Sequence, residues 1–108
     1  MNPKSIKEPI LLYLKELKPR LQKEGIAEIG LFGSFAKEEA TIHSDIDVFV
    51  KSTKPFYDKY IGLKYYAFLE DLRQDIAKHF NKEVDLCDIS GIRNDKKRAD
   101  ILEGAIYA

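Results

Sequence analysis

Hydrophobic residues recur at helical spacing in two long stretches of the chain. In residues 5–24 they form one apolar stripe, at spacings of four, three and four residues: Ile10, Leu14, Leu17 and Leu21. Gly25 follows the stripe and is typical of a C-terminal cap. Pro19 removes a backbone donor inside the stretch, so we expect a kink or two short helices that meet near Lys18.

A second apolar stripe predicts one long amphipathic helix over residues 56–80. Its members recur mostly at three- and four-residue intervals and include several aromatic rings: Ile61, Tyr65, Phe68, Leu69, Leu72, Ile76 and Phe80. We expect this aromatic-rich face to be buried and Asn81 to end the helix. Residues 90–97 are polar, and residues 98–107 predict a final short helix.

Three short apolar runs predict strands over residues 27–32, 45–51 and 83–89. Side chains alternate between the two faces of a strand, and one face of the second run suits a packed core: Ile46, Val48 and Val50. The opposite face begins with Asp45 and Asp47, which an apolar core does not accept without partners. In the third run, Asp85 has the same parity, opposite an aliphatic face.

This order of helices and strands predicts a single domain over residues 1–108 of the α/β (α+β) class. We expect a small mixed sheet of three strands or slightly more, with helices packed on one of its faces. The apolar runs and the two long stripes are sufficient to build one hydrophobic core. No internal repeat or linker divides the chain.

Composition is that of a globular protein, with 44% hydrophobic and 33% charged residues. Eighteen basic residues balance eighteen acidic ones, so the net charge provides no general attraction to nucleic acid. No apolar run is long enough to span a bilayer, and the N-terminus lacks a signal-peptide pattern. The single cysteine, Cys87, cannot form an internal disulfide, and we expect a protein of the reducing cytoplasm.

The acidic strand face has the chemistry of a metal site. If the second and third strands are neighbours, Asp45, Asp47 and Asp85 converge at one end of the sheet, where their charges repel one another. Mg²⁺ prefers oxygen ligands and leaves positions open for water and substrate phosphates. Two such ions, about 4 Å apart, can hold both the attacking and the leaving oxygen of a phosphoryl displacement.

A phosphate-binding turn is predicted beside these acids. Gly33 follows the first strand and allows the backbone to approach a phosphate chain closely. The Ser34 hydroxyl and the amides of the following turn can then hold the phosphates. Together with the acids, this turn implies transfer of a nucleoside monophosphate from a triphosphate, with pyrophosphate as the leaving group.

The same residues resemble the signature of a known superfamily. Gly33-Ser34, ten intervening residues and Asp45-x-Asp47 resemble the motif of the DNA polymerase β-like nucleotidyltransferases. Asp85 resembles the third acid of that superfamily. The short chain is similar to the minimal nucleotidyltransferase (MNT) branch, and the resemblance covers residues 14–107. It implies the nucleotidyltransferase fold.

The MNT resemblance implies an antitoxin paired with a HEPN-domain ribonuclease toxin, to a tyrosine of which it transfers AMP from ATP. By matching position, Gly33 and Ser34 would bind the triphosphate. Asp45 and Asp47 would hold two Mg²⁺ ions, and Asp85 would complete the metal site and is the candidate acceptor of the attacking hydroxyl's proton.

One local departure concerns the turn after the Gly-Ser pair. Many members have Ala-Arg-Gly where this chain has Ala36-Lys37-Glu38. Lys37 keeps a positive charge for binding the nucleotide but lacks the bidentate guanidinium, and loss of the glycine stiffens the turn.

Each motif taken alone has a simpler interpretation. Gly33-Ser34 is typical of an ordinary turn with a helix cap, and Asp45 and Asp47 are typical of a solvated strand edge. Asp85 by itself is typical of a structural acid. The joint occurrence of all three at the superfamily spacing favours the site.

Two other functions fit the sequence. The missing Arg-Gly after Ala36 is consistent with an antitoxin that acts by stoichiometric contact, with weak or no catalysis. A nucleotidyltransferase that modifies RNA or a small molecule is the second alternative. Such enzymes generally carry a second domain for the acceptor, which we do not expect in 108 residues, and the neutral charge argues against RNA.

Overall fold

The computed structural model describes residues 6–108, in which helices and strands alternate. The helix start predicted at Ser5, and the first residues of the predicted domain, lie outside the described residues. The elements are α1 Lys7–Glu24, β1 Ile26–Phe32, α2 Gly33–Ala36, β2 Ile46–Ser52, α3 Lys54–Lys59, α4 Leu63–Phe80, β3 Val84–Asp88, α5 Asp95–Leu102 and β4 Ile106–Tyr107. A short 3-10 turn, Ile89–Gly91, follows β3.

The four strands form one mixed sheet in the order β3-β2-β1-β4. Strand β1 runs antiparallel to β2 and to β4, whereas β2 and β3 are parallel. The predicted fold class is confirmed, with four strands in the sheet. The parallel pair determines the site because it sets the first residues of β2 and β3 side by side, with Asp47 opposite Asp85.

One face of the sheet packs against helices α1 and α4. The predicted core face of β2 is fully buried, and the helices bury their apolar stripes in the same cluster through Ile10, Leu14, Leu21, Leu72 and Ile76. Each such side chain contributes about 1.5–3 kcal/mol on burial, so packing rather than intrinsic propensity stabilises these helices. Within residues 6–108 no helix is long and apolar enough to cross a bilayer.

Helix α1 is continuous across Pro19, so the alternative of two short helices is wrong. Pro19 is exposed, and water can therefore bond the carbonyl one turn earlier that lacks a backbone donor. Leu14 and Leu21 are buried on either side of the proline and hold both halves against the sheet. Gly25 caps the helix as predicted, with a left-handed φ of 104°.

The predicted helix over residues 56–80 is two helices, α3 and α4. They are separated at Gly62, which adopts φ 62° and ψ −126°, a conformation that side-chain-bearing residues rarely adopt. Ile61, predicted to be buried, is 71% exposed at this junction. The prediction is correct for the later stripe of α4, where Leu72 and Ile76 are buried, and for Asn81, which caps the helix.

The predicted helix over residues 98–107 is wrong at both ends. Helix α5 begins at Asp95, after Asn94, whose side chain accepts a hydrogen bond from the Lys97 N–H as an N-cap. The helix ends at Leu102, and Gly104, with φ 73°, turns the chain into β4. The backbone N–H and C=O groups of β4 form hydrogen bonds with the edge of β1. In the predicted helix, these groups would have bonded within the helix itself.

The second face of the sheet carries the acids and an aromatic cluster. Phe49 of β2 is fully buried on this face and lies over Gly30, where a Cβ would be 2.4 Å from the Phe49 ring. The rings of Phe32 and Tyr107 pack beside it, with centroids 6.4 and 5.0 Å away. Position 30 therefore requires glycine because of this close approach.

Candidate active site

Asp47 is the centre of the acidic group. It is the second residue of β2, opposite Phe32 of β1 on one side and Asp85 of β3 on the other. Asp45 precedes β2 and is not its first residue, contrary to the predicted strand boundary. Asp47 is half-buried, whereas Asp45 and Asp85 are exposed. The parallel pairing of β2 and β3 thus sets a half-buried acid beside an exposed one.

The charge around Asp47 is unfavourable in the absence of a cation. Burial raises the pKa of Asp47 to about 6, and the neighbouring Asp85 carboxyl and the charge of Asp45 add to this increase. At neutral pH the group is nevertheless mostly ionised, so like charges lie close together in a partly desolvated position. A bound cation would relieve this repulsion.

Gly33 lies directly against the Asp47 carboxylate. Its φ is 70°, and a Cβ at this position would be 2.2 Å from Asp47 Oδ2. Both the backbone conformation and the available space therefore require glycine. A ligand held by the turn that begins α2 would consequently lie next to the central acid.

The turn around α2 contains the other predicted nucleotide-binding residues. Ser34 is half-buried, and the Lys37 N–H donates to the Gly33 carbonyl at 3.1 Å. Lys37 is exposed, and no acid of residues 6–108 forms an ion pair with its ammonium. Glu38, which departs from the MNT pattern given above, adopts a left-handed φ of 61°. The departure from that pattern is therefore accompanied by backbone strain.

The loop before Asp45 is closed by its own hydrogen bonds. The Thr41 N–H donates to Ser44 Oγ at 2.8 Å, and the Ser44 N–H donates to the Thr41 carbonyl at 3.1 Å. Lys82, just before β3, donates to the Ile42 carbonyl at 3.3 Å. These bonds fix the loop that leads into the acidic end of β2. Sequence reasoning missed Lys82, because no local pattern distinguishes it from other lysines.

The donor set fits Mg²⁺ because all three predicted ligands are carboxylates. In the part of the chain that the structure describes, no three acidic, histidine or cysteine side chains are close enough to hold one ion by themselves. Mg²⁺ is ordinarily held by one or two carboxylates, with water and substrate phosphates completing its shell. Asp47 with exposed Asp45 and Asp85 therefore suits a site that the nucleotide completes.

A fourth strand acid, Asp88, belongs to the scaffold. The hydroxyls of Tyr57 and Tyr65 donate to its Oδ2 at 2.7 and 2.9 Å. It lies at the far end of β3, opposite Val50 of the helix-covered face. Sequence reasoning did not single out this residue, although its parity in β3 separates it from Asp85.

Similarity to known proteins extends over most of the chain. The profile of the nucleotidyltransferase domain family matches residues 14–108. MJ0126 of Methanocaldococcus jannaschii, named as a candidate protein adenylyltransferase, is 33% identical over 102 residues, which cover 94% of this chain and 93% of that protein.

Two solved structures share the fold. A candidate minimal nucleotidyltransferase superposes with a TM-score of 0.66 at 21% identity, covering 98% of this chain and 95% of that one. A toxin–antitoxin complex with AMP-PNP superposes with a TM-score of 0.62 at 18% identity, covering 87% of this chain and 70% of that one. At these identities the similarity concerns the fold.

Proposed function

Because the chain belongs to the nucleotidyltransferase domain family, within the DNA polymerase β-like superfamily, we propose that it transfers AMP from ATP to a tyrosine of a HEPN-type toxin. The observation that carries the proposal is the contact between Gly33 and Asp47, with Asp85 alongside. A triphosphate held by the turn would lie against carboxylates whose repulsion calls for a cation. That combination suits phosphoryl transfer.

In the proposed reaction the tyrosine oxygen attacks the α-phosphorus of ATP. A new P–O bond forms while the bond to the bridging oxygen of the β-phosphate breaks, and pyrophosphate leaves. Asp85 is the candidate acceptor of the hydroxyl proton because its carboxylate is exposed beside Asp47. Gly33, Ser34 and Lys37 bind the triphosphate and offset part of its charge.

Asp45, Asp47 and Asp85 would hold Mg²⁺, as two ions, together with the triphosphate. When bound, the ions supply neutralisation of the phosphate oxygens and of the leaving pyrophosphate. The position of Asp47 is defined by its contact with Gly33, whereas Asp45 and Asp85 are exposed and able to adjust to the ligand.

A protein acceptor and a toxin partner are supported by the similar proteins. MJ0126 is named for protein adenylyltransfer, and a structure of the same fold is a toxin–antitoxin complex.

The test is a transfer assay with the purified product of the gene adjacent to that of this chain, ATP and Mg²⁺. We expect the partner to gain the mass of AMP, and peptide mapping to locate it on a tyrosine. Asp47→Asn should abolish the gain, whereas Asp71→Asn, the same change at an exposed position of α4, should keep it. Folded wild-type protein that leaves the partner unmodified would contradict the proposal.

A second candidate function is that of an antitoxin that neutralises its partner by contact alone. The strained Glu38 and the replacement of arginine by Lys37 favour it, because both lie in the turn that would bind nucleotide. An Asp45→Asn, Asp47→Asn double variant distinguishes the two functions in cells. If the variant still neutralises the toxin, contact is the mechanism; if the toxin kills, adenylyl transfer is required.

A further inference from the structure

The turn that follows α5 contacts Lys37. A Cβ at Gly104 would lie 3.2 Å from both Cγ and Cε of Lys37 and 3.7 Å from its Cδ. Three successive carbons of the lysine stem therefore run across the backbone at Gly104. This contact joins the C-terminal part of the chain to the turn around α2.

Both sides of this contact are held by backbone hydrogen bonds. On one side, the Lys37 N–H donates to the carbonyl of Gly33, the residue that touches Asp47. On the other side, the Glu103 N–H donates to the Ala99 carbonyl at 3.0 Å, after which the chain pairs with β1 as β4. The surface under the lysine stem is consequently fixed.

The Lys37 ammonium is available to an anion. It is exposed, and no acid in residues 6–108 pairs with it. A lysine stem is flexible, and ordering it on binding a ligand is costly in entropy. A stem that already lies along a fixed backbone has lost part of that freedom before the ligand arrives.

We propose that Gly104 is a positioning residue for nucleotide binding, which acts by holding the Lys37 stem so that its ammonium faces a triphosphate beside Gly33. The inference rests on the proposed function. Gly104 has a φ of 73°, so its conformation alone also favours glycine. The test must therefore separate the contact with Lys37 from this backbone requirement.

Gly62 provides the matched control. Its φ is 62°, but a Cβ there would have no heavy atom within 4 Å. Gly104→Ala and Gly62→Ala therefore both place a Cβ at a positive φ, and only the first displaces Lys37. We expect Tm to decrease for both variants. Gly104→Ala alone should raise the KM for ATP about fivefold, with kcat close to that of the wild type.

Lys37→Met keeps an apolar stem and removes the charge, and it completes the test. If Gly104 acts through Lys37, Gly104→Ala should add no further increase in KM to Lys37→Met. An equal increase in both backgrounds would overturn the inference, as would a Gly104→Ala variant with the KM of Gly62→Ala.

A direct measurement of the lysine separates this inference from the proposed function. With ¹³C-methylated lysines, the Lys37 resonance should become more mobile in Gly104→Ala and remain unchanged in Gly62→Ala, without nucleotide. Unchanged mobility in both variants would overturn the inference even if AMP transfer is found. If Gly104→Ala makes Lys37 more mobile but the wild-type protein binds no ATP, the nucleotide role and the proposed function are both rejected. Only the packing contact between Gly104 and Lys37 then remains.

Discussion

Two half-buried aspartates lie at opposite ends of the paired strands β2 and β3, and their surroundings differ. Asp88 accepts hydrogen bonds from Tyr57 and Tyr65, and also from the Ser52 and Ser90 N–H groups at 3.4 and 3.2 Å. Asp47 faces other acids, and its pKa is raised to about 6. In the described residues, no protein N–H or hydroxyl donates to it within hydrogen-bonding distance.

The difference separates an acid that stabilises the fold from an acid that we propose to serve the function. Four donors compensate Asp88 for its loss of water, and the two tyrosines among them attach α3 and α4 to the end of the sheet. Asp47 has lost water without gaining donors, which is unfavourable for the free protein. We infer that its compensation comes from the ligand, and each variant below tests this contrast.

The largest expected effect is the loss of transfer activity in Asp47→Asn. An amide keeps the size of the side chain but removes the charge that would hold the cation. We expect a decrease of about 10²–10³-fold in the rate of AMP transfer, measured by mass spectrometry of the partner. A variant with more than a tenth of the wild-type rate would place the essential charge elsewhere.

Asp88→Asn should instead reduce stability. The amide keeps one acceptor oxygen, which can serve only two of the four donors, and its nitrogen cannot accept a hydrogen bond from the other two. We expect a loss of about 1–3 kcal/mol in the free energy of unfolding, measured with urea, and an unchanged rate per folded molecule. Exposed Asp71→Asn is the control and should change stability by less than about 0.5 kcal/mol.

The raised pKa of Asp47 should make the free energy of unfolding of the metal-free protein depend on pH. Folding raises the pKa of this group from 3.8 to about 6, so the folded state holds the proton more tightly than the unfolded chain. The contribution of Asp47 to stability is therefore greatest below pH 3.8 and is lost as the pH rises through about 6.

We expect this contribution to be about 1 kcal/mol after allowance for solvent screening. It is obtained by subtracting the pH profile of Asp47→Asn from that of the wild type in urea unfolding. A difference that is flat between pH 4 and 7 would show that the carboxylate is not crowded in solution.

The smallest effect concerns the strained backbone beside the acids. Glu38→Gly should raise the free energy of unfolding by about 0.5–1 kcal/mol, because glycine adopts a φ of 61° more readily. The substitution also removes the 3.2 Å ion pair with Lys7, which is partly exposed and contributes little. Glu38→Ala removes the same ion pair without relieving the strain, so it should not stabilise the protein.

The sequence was sufficient for the fold class and for the strand face on which the acids lie because both depend on local periodicity. Alternation along residues 45–51 separated Ile46, Val48 and Val50 from Asp47, and the same parity selected Asp85. Gly33 was predicted to lie in a turn because it directly follows an apolar run. These residues lie where the pattern predicted, and their roles in binding metal and nucleotide stay predictions.

Non-local contacts decided the rest. Phe49 shares the face of Asp47 and is buried because β4 brings Tyr107 across the sheet, where the local pattern predicted a helix. Asp88 became structural because Tyr57 and Tyr65 reach it from two helices that the periodicity joined into one.

The contact of Lys37 with Gly104 links positions far apart in the chain. By itself, the sequence determined which residues alternate and placed Gly25 and Gly33 directly after apolar segments. Only the tertiary structure decided which acid is supplied with donors and which is left without them, because that depends on side chains brought together from distant segments.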